Sequence, residues 1–351
     1  MSKTALSSVL GVTTRNLQTY ETDGAPPSRA GDLARVLCVA PEFFSRPDLT
    51  AIGVEQGFFR ARRRATAAQL GSARAAASIG AELYDWITDR FALPPVVVPD
   101  LDEQDPESAA AALRAIWGRG EQPLPNLVQL SEAHGVRVMS LPTGAETVDA
   151  FSLWLNGVPY VFLATTKTAE RSRFDLAHEL GHLTMHSRTP AETGSGGAEN
   201  RRLEQEADAF ASAFLMPCRH LLAHVGREPA VPQILRVRNY YKVSAMAATK
   251  RLYDIGRLTD WSYRQNCVQL TQRGFRTHEP GGISRERSHV FSTVFTSLRE
   301  RGIGAGEVCQ ELGIAPRELH ALTFGQVPVT ISGDGRAATS SRPVLRVVDR
   351  S

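Results

Sequence analysis

RSRFDLAHELGHLTMH, Arg171–His186, contains the run His178-Glu179-Leu180-Gly181-His182. Two histidines four apart on a helix differ by about 40° around its axis and stand one turn apart, so both imidazoles leave the same face. That spacing suits two nitrogen ligands of a single Zn2+, with Glu179 beside the first as a general base. Leu176, Ala177, Leu180 and Leu183 coat the remaining faces, which predicts a buried core helix. A tetrahedral catalytic zinc takes three protein ligands and keeps one position open, so the rest of the chain has to supply the third.

The next apolar periodic stretch is NRRLEQEADAFASAFLMP, Asn200–Pro217. Leu203, Ala207, Phe210, Ala211 and Phe214 recur at helical spacing and predict a second core helix ending before Pro217. Glu206 borders that apolar face and is expected to point inward, with Glu204 on the other side. A buried carboxylate is costly unless it meets a cation, which favours Glu206 as the third ligand. The competing reading is a surface carboxylate paired with Arg201 or Arg202. His186 lies four residues past His182, but a straight helix carries it away from a shared metal. It is expected to cap the helix C-terminus or to stand beside the site.

Ahead of the histidine helix, Val148–Leu155 and Val158–Ala164 are β-rich and separated by Asn156-Gly157, the favoured pair for a tight hairpin. A sheet edge beside such a helix can hold an extended peptide. Tyr160, Arg173 and His186 are candidates for stabilising an oxyanion. The intervening loop Ser187–Asn200, rich in Gly, Thr and Ser, reads equally as a gate or as an unconstrained surface loop.

Together, RSRFDLAHELGHLTMH and EQEADAFASAFLMP resemble, in order, spacing and residue type, the two signatures of the ImmA/IrrE family of zinc metallopeptidases. The resemblance implies an α+β, mostly helical chain with a zincin-like core. It implies Zn2+ held by His178, His182 and Glu206, with Glu179 as catalytic acid and base. It further implies a protein substrate, an XRE-type repressor or antitoxin-like partner, whose cleavage relieves transcriptional repression. The alternative is a DNA-binding regulator in which the zincin is a sensor or vestige.

The N-terminal run LSSVLGVTTRNLQTYE has the layout helix, glycine turn, capped helix. Ser2 and either Thr13 or Thr14 are the expected caps, and Leu6, Val9, Leu10, Leu17 and Tyr20 the expected apolar side. The run resembles the second and third helices of an XRE-like (Cro-type) helix-turn-helix, with Asp32–Phe44 supplying the following helix. The helix that usually precedes these two has no counterpart, so residues 1–48 read as a partial domain. Thr14, Arg15, Asn16 and Gln18 would face a DNA groove, with Lys3 beside phosphate. The competing reading is a small helical unit that touches no DNA.

Residues 51–145 read as a helical connection, with one long helix or two from Ala65 to about Phe91, helices Glu107–Trp117 and Pro125–His134, and a strand Val136–Leu141. Its cluster Arg60, Arg62, Arg63 and Arg64 reads first as a solvated face. Residues 146–223 are the expected core, 224–330 a helical C-terminal region, and 331–351 a frayed tail. Within the C-terminal region, VSAMAATKRL and GIGAGEVCQELGIAPRELHALTFG imitate helix-turn-helix runs but lack good base readers.

At 351 residues, 42% hydrophobic, the chain can bury substantial cores. No apolar run reaches the ~18 residues a membrane helix needs, and no signal-peptide pattern opens the chain. Four scattered cysteines without a CxxC pair argue against a cysteine zinc site and for a reducing cytoplasm. A net charge of +3 by itself selects no partner.

Overall fold

The computed structural model describes residues 2–37, 39–50, 52, 57–61, 66–141, 148–187 and 198–328. Arg62, Arg63, Arg64, most of the 187–200 loop and the 331–351 tail fall outside them. The described elements are α1 (Lys3–Leu10), α2 (Thr14–Asp23), α3 (Ala30–Leu37), β1 (Gly57–Ala61), α4 (Ala67–Thr88), α5 (Pro106–Ile116) and α6 (Leu127–Ala133). There follow β2 (Arg137–Ser140), β3 (Val148–Leu155), β4 (Val158–Leu163), α7 (Ala169–Met185), α8 (Ala198–Leu215) and α9 (Cys218–His224). The chain continues through α10 (Val231–Tyr241), α11 (Ala245–Asp254), α12 (Asp260–Gln272), α13 (His289–Glu300), α14 (Ala305–Leu312) and α15 (Pro316–Leu322). The architecture is α+β and mostly helical.

The four strands lie in the order β1-β3-β4-β2. β3 and β4 form the expected hairpin, with Asn156 at φ 50° and Gly157 at φ 76°. Two consecutive left-handed residues give a turn whose twist matches that of the strands it joins. β2 runs parallel to β4, and β1 runs antiparallel along the outer edge of β3.

Alternation along the strands sends side chains into two cores. Val138, Ala150, Val161 and Leu163 face one core, built with α5–α8 and α10–α12. Met139, Phe151, Leu153, Tyr160 and Phe162 face the other, built with α4 and α13–α15. Burial on both faces explains why VPYVFL is apolar throughout instead of alternating. Phe151 and Phe162, opposite each other in the ladder, stack at 4.7 Å. These cores cut across the boundaries at 145/146 and 223/224. β2 and α5 come from the expected connection and α10–α12 from the expected C-terminal region, yet all share the core of α7 and α8.

Helix α4 starts at a Thr66/Gln69 capping box and is one helix, and α5 starts at Asp105, whose side chain accepts from the Glu107 and Ser108 amides. Helix α13 begins at His289, with Ser288 as its cap. Helix α12 has no strong apolar stripe and buries only Ser262, Asn266 and Leu270.

At the N-terminus, Ser2 and Thr13 cap α1 and α2, and Gly11 makes the corner at φ 63°. Leu10, Leu17 and Leu33 form a small separate core. Val9, expected on the apolar side, is instead exposed. The same corner recurs twice: helix, one left-handed residue, an apolar residue, an N-cap, helix. Lys242 and Gly313 hold the left-handed position between α10 and α11 and between α14 and α15.

Candidate metal centre

Thr168 caps α7 by accepting from the Arg171 amide, and from Asp175 to Met185 every residue of this helix is buried. Trp154 of β3 donates to the Leu183 carbonyl at 3.2 Å, and the Leu101 amide donates to the Thr184 carbonyl at 2.7 Å. On the outer side, Lys167 lies 2.8 Å from Asp149 and 2.9 Å from Asp175, which ties α7 to the hairpin through largely buried charges. The histidines are therefore held on a helix fastened at several points.

Helix α8 packs along α7 with little room between. An ideal Cβ on Gly181 would lie 3.0 Å from Phe210 Cδ1 and 3.3 Å from Ala207 Cα. The glycine of HELGH thus permits the close approach that brings acidic side chains of α8 to the histidines. His178 meets Asp208 and His182 meets Glu204, so positions rise on one helix as they fall on the other and the pair is antiparallel.

Three donors converge. His178 Nε2 and His182 Nε2 are 3.0 Å apart, His182 Nε2 is 3.3 Å from Glu204 Oε1, and His178 Nε2 is 3.7 Å from Glu204 Oε2. A tetrahedral ion with bonds of about 2.0–2.1 Å needs its ligand atoms roughly 3.3–3.4 Å apart. The observed separations bracket that value, and the set of two imidazoles and one carboxylate fits Zn2+. These three residues are the ones among the described His, Cys, Asp and Glu whose ligand atoms gather for a metal, all within 4.8 Å.

Glu206 is not among them. Its Oε2 lies 3.1 Å from His186 Nε2, and its Oε1 accepts from Arg202 at 2.8 Å. The reason is angular. At 100° per residue, Glu204 and Glu206 flank the apolar arc of α8 at roughly 80° on either side. The helix alone makes them equivalent, and the position of α7 chooses the Glu204 edge, on which Asp208 follows one turn later.

The outer nitrogens of both histidines are also held. His178 Nδ1 is 2.8 Å from Asp208 Oδ1, and His182 Nδ1 is 3.0 Å from His186 Nδ1. Burial, followed by the neighbouring His182, pushes His186 down to about 4, so its ring is neutral near pH 7. Glu179 is fully buried, and Ser152 of β3 donates to its Oε2 at 2.7 Å.

None of the three oxyanion candidates lies on an open side of this cluster. Arg173 is buried and donates to the Leu124 and Pro125 carbonyls and to Glu286, which makes it a structural tie. Tyr160 points through the opposite face of the sheet against Tyr84, and burial raises it to about 12. His186 stands behind His182. Thr14, Arg15, Asn16 and Gln18 are exposed on α2, and Lys3 pairs with Glu21.

Residues 131–253, a little over a third of the chain, match a family model. It is Peptidase_M78, the IrrE N-terminal-like domain. The matched IrrE-like segment runs from α6 through α11 and contains the two histidines and all three α8 acids discussed above. This supports the ImmA/IrrE resemblance and a metallopeptidase type of function. No curated protein matches the chain. No helix among the described residues is long and apolar enough to cross a membrane.

Sequence reasoning set Glu204 aside in favour of Glu206 and overlooked Asp208 and Ser152. The i,i+4 pair Glu204/Asp208, matching the i,i+4 pair His178/His182, was the available signal.

Proposed function

We propose that this chain is a zinc-dependent endopeptidase. The observation that carries the reading is the gathering of His178, His182 and Glu204 within 4.8 Å of one another, beside Glu179, inside the IrrE-like segment. Glu204 takes the role first assigned to Glu206. Zn2+ bound there supplies a Lewis acid for the scissile carbonyl and lowers the pKa of a bound water towards ~7.

The protein's own groups do the rest. His178 and His182 present Nε2 lone pairs, and Glu204 contributes the negative charge that holds a dication in a buried place. Glu179 accepts the proton of the attacking water and delivers it to the departing amine, so the water's hydroxyl ends on the acyl carbon and its proton on nitrogen. The Ser152 hydroxyl fixes one oxygen of Glu179, which leaves the carboxylate one orientation for both transfers. A peptide laid along β3 beside Ser152 would take the place of β1, whose Phe58 is paired with Ser152.

The proposed substrate is a cytoplasmic XRE-type repressor or antitoxin-like partner. The family resemblance and the helix–glycine–helix unit at the N-terminus support that choice. Co-incubating such a repressor with the zinc-loaded protein tests it: E179Q should keep its zinc and lose cleavage, and undiminished cleavage by E179Q would reject the mechanism.

A second reading rests on the exposed Thr14, Arg15, Asn16 and Gln18 of α2. In it the chain is itself a DNA-binding regulator, with the metal site as sensor. Mobility shifts that R15A and N16A leave unchanged would reject that reading.

A further inference from the structure

The carboxylate first expected on the metal stands behind His186, which in turn stands behind the ligand His182, in a line of contacts that fixes proton positions. Arg202 Nη1 donates to Glu206 Oε1 at 2.8 Å. Glu206 Oε2 lies 3.1 Å from His186 Nε2, His186 Nδ1 lies 3.0 Å from His182 Nδ1, and His182 Nε2 faces His178 Nε2 at 3.0 Å. A neutral imidazole carries one N–H and one lone pair, so each assignment in this line determines the next.

Beside the Arg202 guanidinium, Glu206 is held as an acceptor. His186 must then carry its proton on Nε2, which leaves a lone pair on Nδ1. A hydrogen bond to that lone pair requires His182 to carry its proton on Nδ1. The remaining lone pair of His182 is on Nε2 and faces His178 Nε2 and Glu204 with no proton between the two rings, so that contact is the place for a cation and not a hydrogen bond. Asp208 imposes the same tautomer on His178 in one step, from Oδ1 to Nδ1 at 2.8 Å.

We propose that His186 and Glu206 are positioning residues that lock His182 in its Nδ1–H tautomer, and thereby set the affinity of the His178–His182–Glu204 cluster for Zn2+. The proposal rests on the metal reading given above. It gives Glu206 a use without direct coordination, and it accounts for a third histidine at the end of α7. The two histidines differ in how they are held: one leans on a half-exposed carboxylate, the other on a buried ring backed by an ion pair. Outer partners of ligating histidines typically change metal affinity about 10- to 100-fold.

The test has two parts. Metal-free protein with 15N-labelled histidine reports the tautomers directly. Wild type should show His182 with its proton on Nδ1, and E206Q, whose amide can donate as well as accept, should show a mixture. Zinc titration against a chromophoric chelator should then rank the variants: E204A weakened most, H186F and E206A weakened about 10- to 100-fold, and E199Q, which alters only the outer partner of Arg202, close to wild type.

A wild-type His182 protonated on Nε2, or full zinc affinity in H186F and E206A, overturns the relay while leaving the metal site standing. Loss of zinc in E206A together with retention in E204A also overturns it, because Glu206 would then be a direct ligand. Wild type that binds no zinc overturns the underlying reading, which the tautomer measurement distinguishes from failure of the relay.

Discussion

Gly181→Ala puts one methyl group into the contact that builds the site. The added Cβ falls 3.0 Å from Phe210 Cδ1 and 3.3 Å from Phe210 Cβ and Ala207 Cα, where carbon atoms prefer about 3.5–4.0 Å. The Phe210 ring has some freedom, but Ala207 Cα is backbone, so α8 has to retreat by a few tenths of an ångström. Overpacking of this kind costs about 1–3 kcal/mol. Replacing glycine by alanine inside a helix returns about 1 kcal/mol. The expected result is a net loss of about 0–2 kcal/mol in urea unfolding of the metal-free protein. Zinc affinity should fall further than stability, because His178–Asp208 and His182–Glu204 both span the displaced helix pair. G181V, with a branched side chain in the same gap, should be clearly worse on both counts. A G181A protein that gains the full ~1 kcal/mol of helix propensity and binds zinc like wild type would refute the close-packing argument.

Two further outcomes follow from the structure. Glu132 is buried where it accepts from the Ser288 hydroxyl and from the His289 and Val290 amides, and burial raises it to about 7. The folded state therefore holds this proton more tightly than the unfolded chain, and its contribution to stability is complete below about pH 4.5 and lost as pH rises through about 7. The stability difference between wild type and E132Q should shift by about 3 kcal/mol between pH 4.5 and pH 8, and a pH-independent difference in paired urea titrations rejects the assignment. Alternate amides of β1 face opposite ways, so F58P/F59P removes at least one ladder donor to β3. If β1 covers the substrate edge, this variant hydrolyses short unstructured peptides faster than wild type; an equal rate shows that peptides bind elsewhere.

The parts of this structure written in local rules were legible from the sequence. Asn156-Gly157 specified the hairpin, Ser2 and Thr13 cap the first two helices as expected, and the spacing of His178 and His182 put both rings on one face. What could not be read locally was decided by partners distant in sequence. Glu204 and Glu206 flank the same apolar arc, and only α7 distinguishes them. β1 pairs with a strand some ninety residues later. Helix α12 hides because its buried side includes Ser262 and Asn266. Helices α13–α15 fall in the stretch read as a separate helical C-terminal region, yet with α4 they form the second core against the sheet. The uninterrupted apolar character of Val158–Leu163 already required a cover on both faces.

His178, His182 and Glu204 together are proposed to hold one zinc ion for peptide hydrolysis. Metal analysis of wild type, E179Q and E204A, purified identically and dialysed against a mild chelator, tests it most directly. Wild type and E179Q should hold stoichiometric zinc, and E204A little or none. Zinc absent from wild type, or retained in full by E204A, would contradict it.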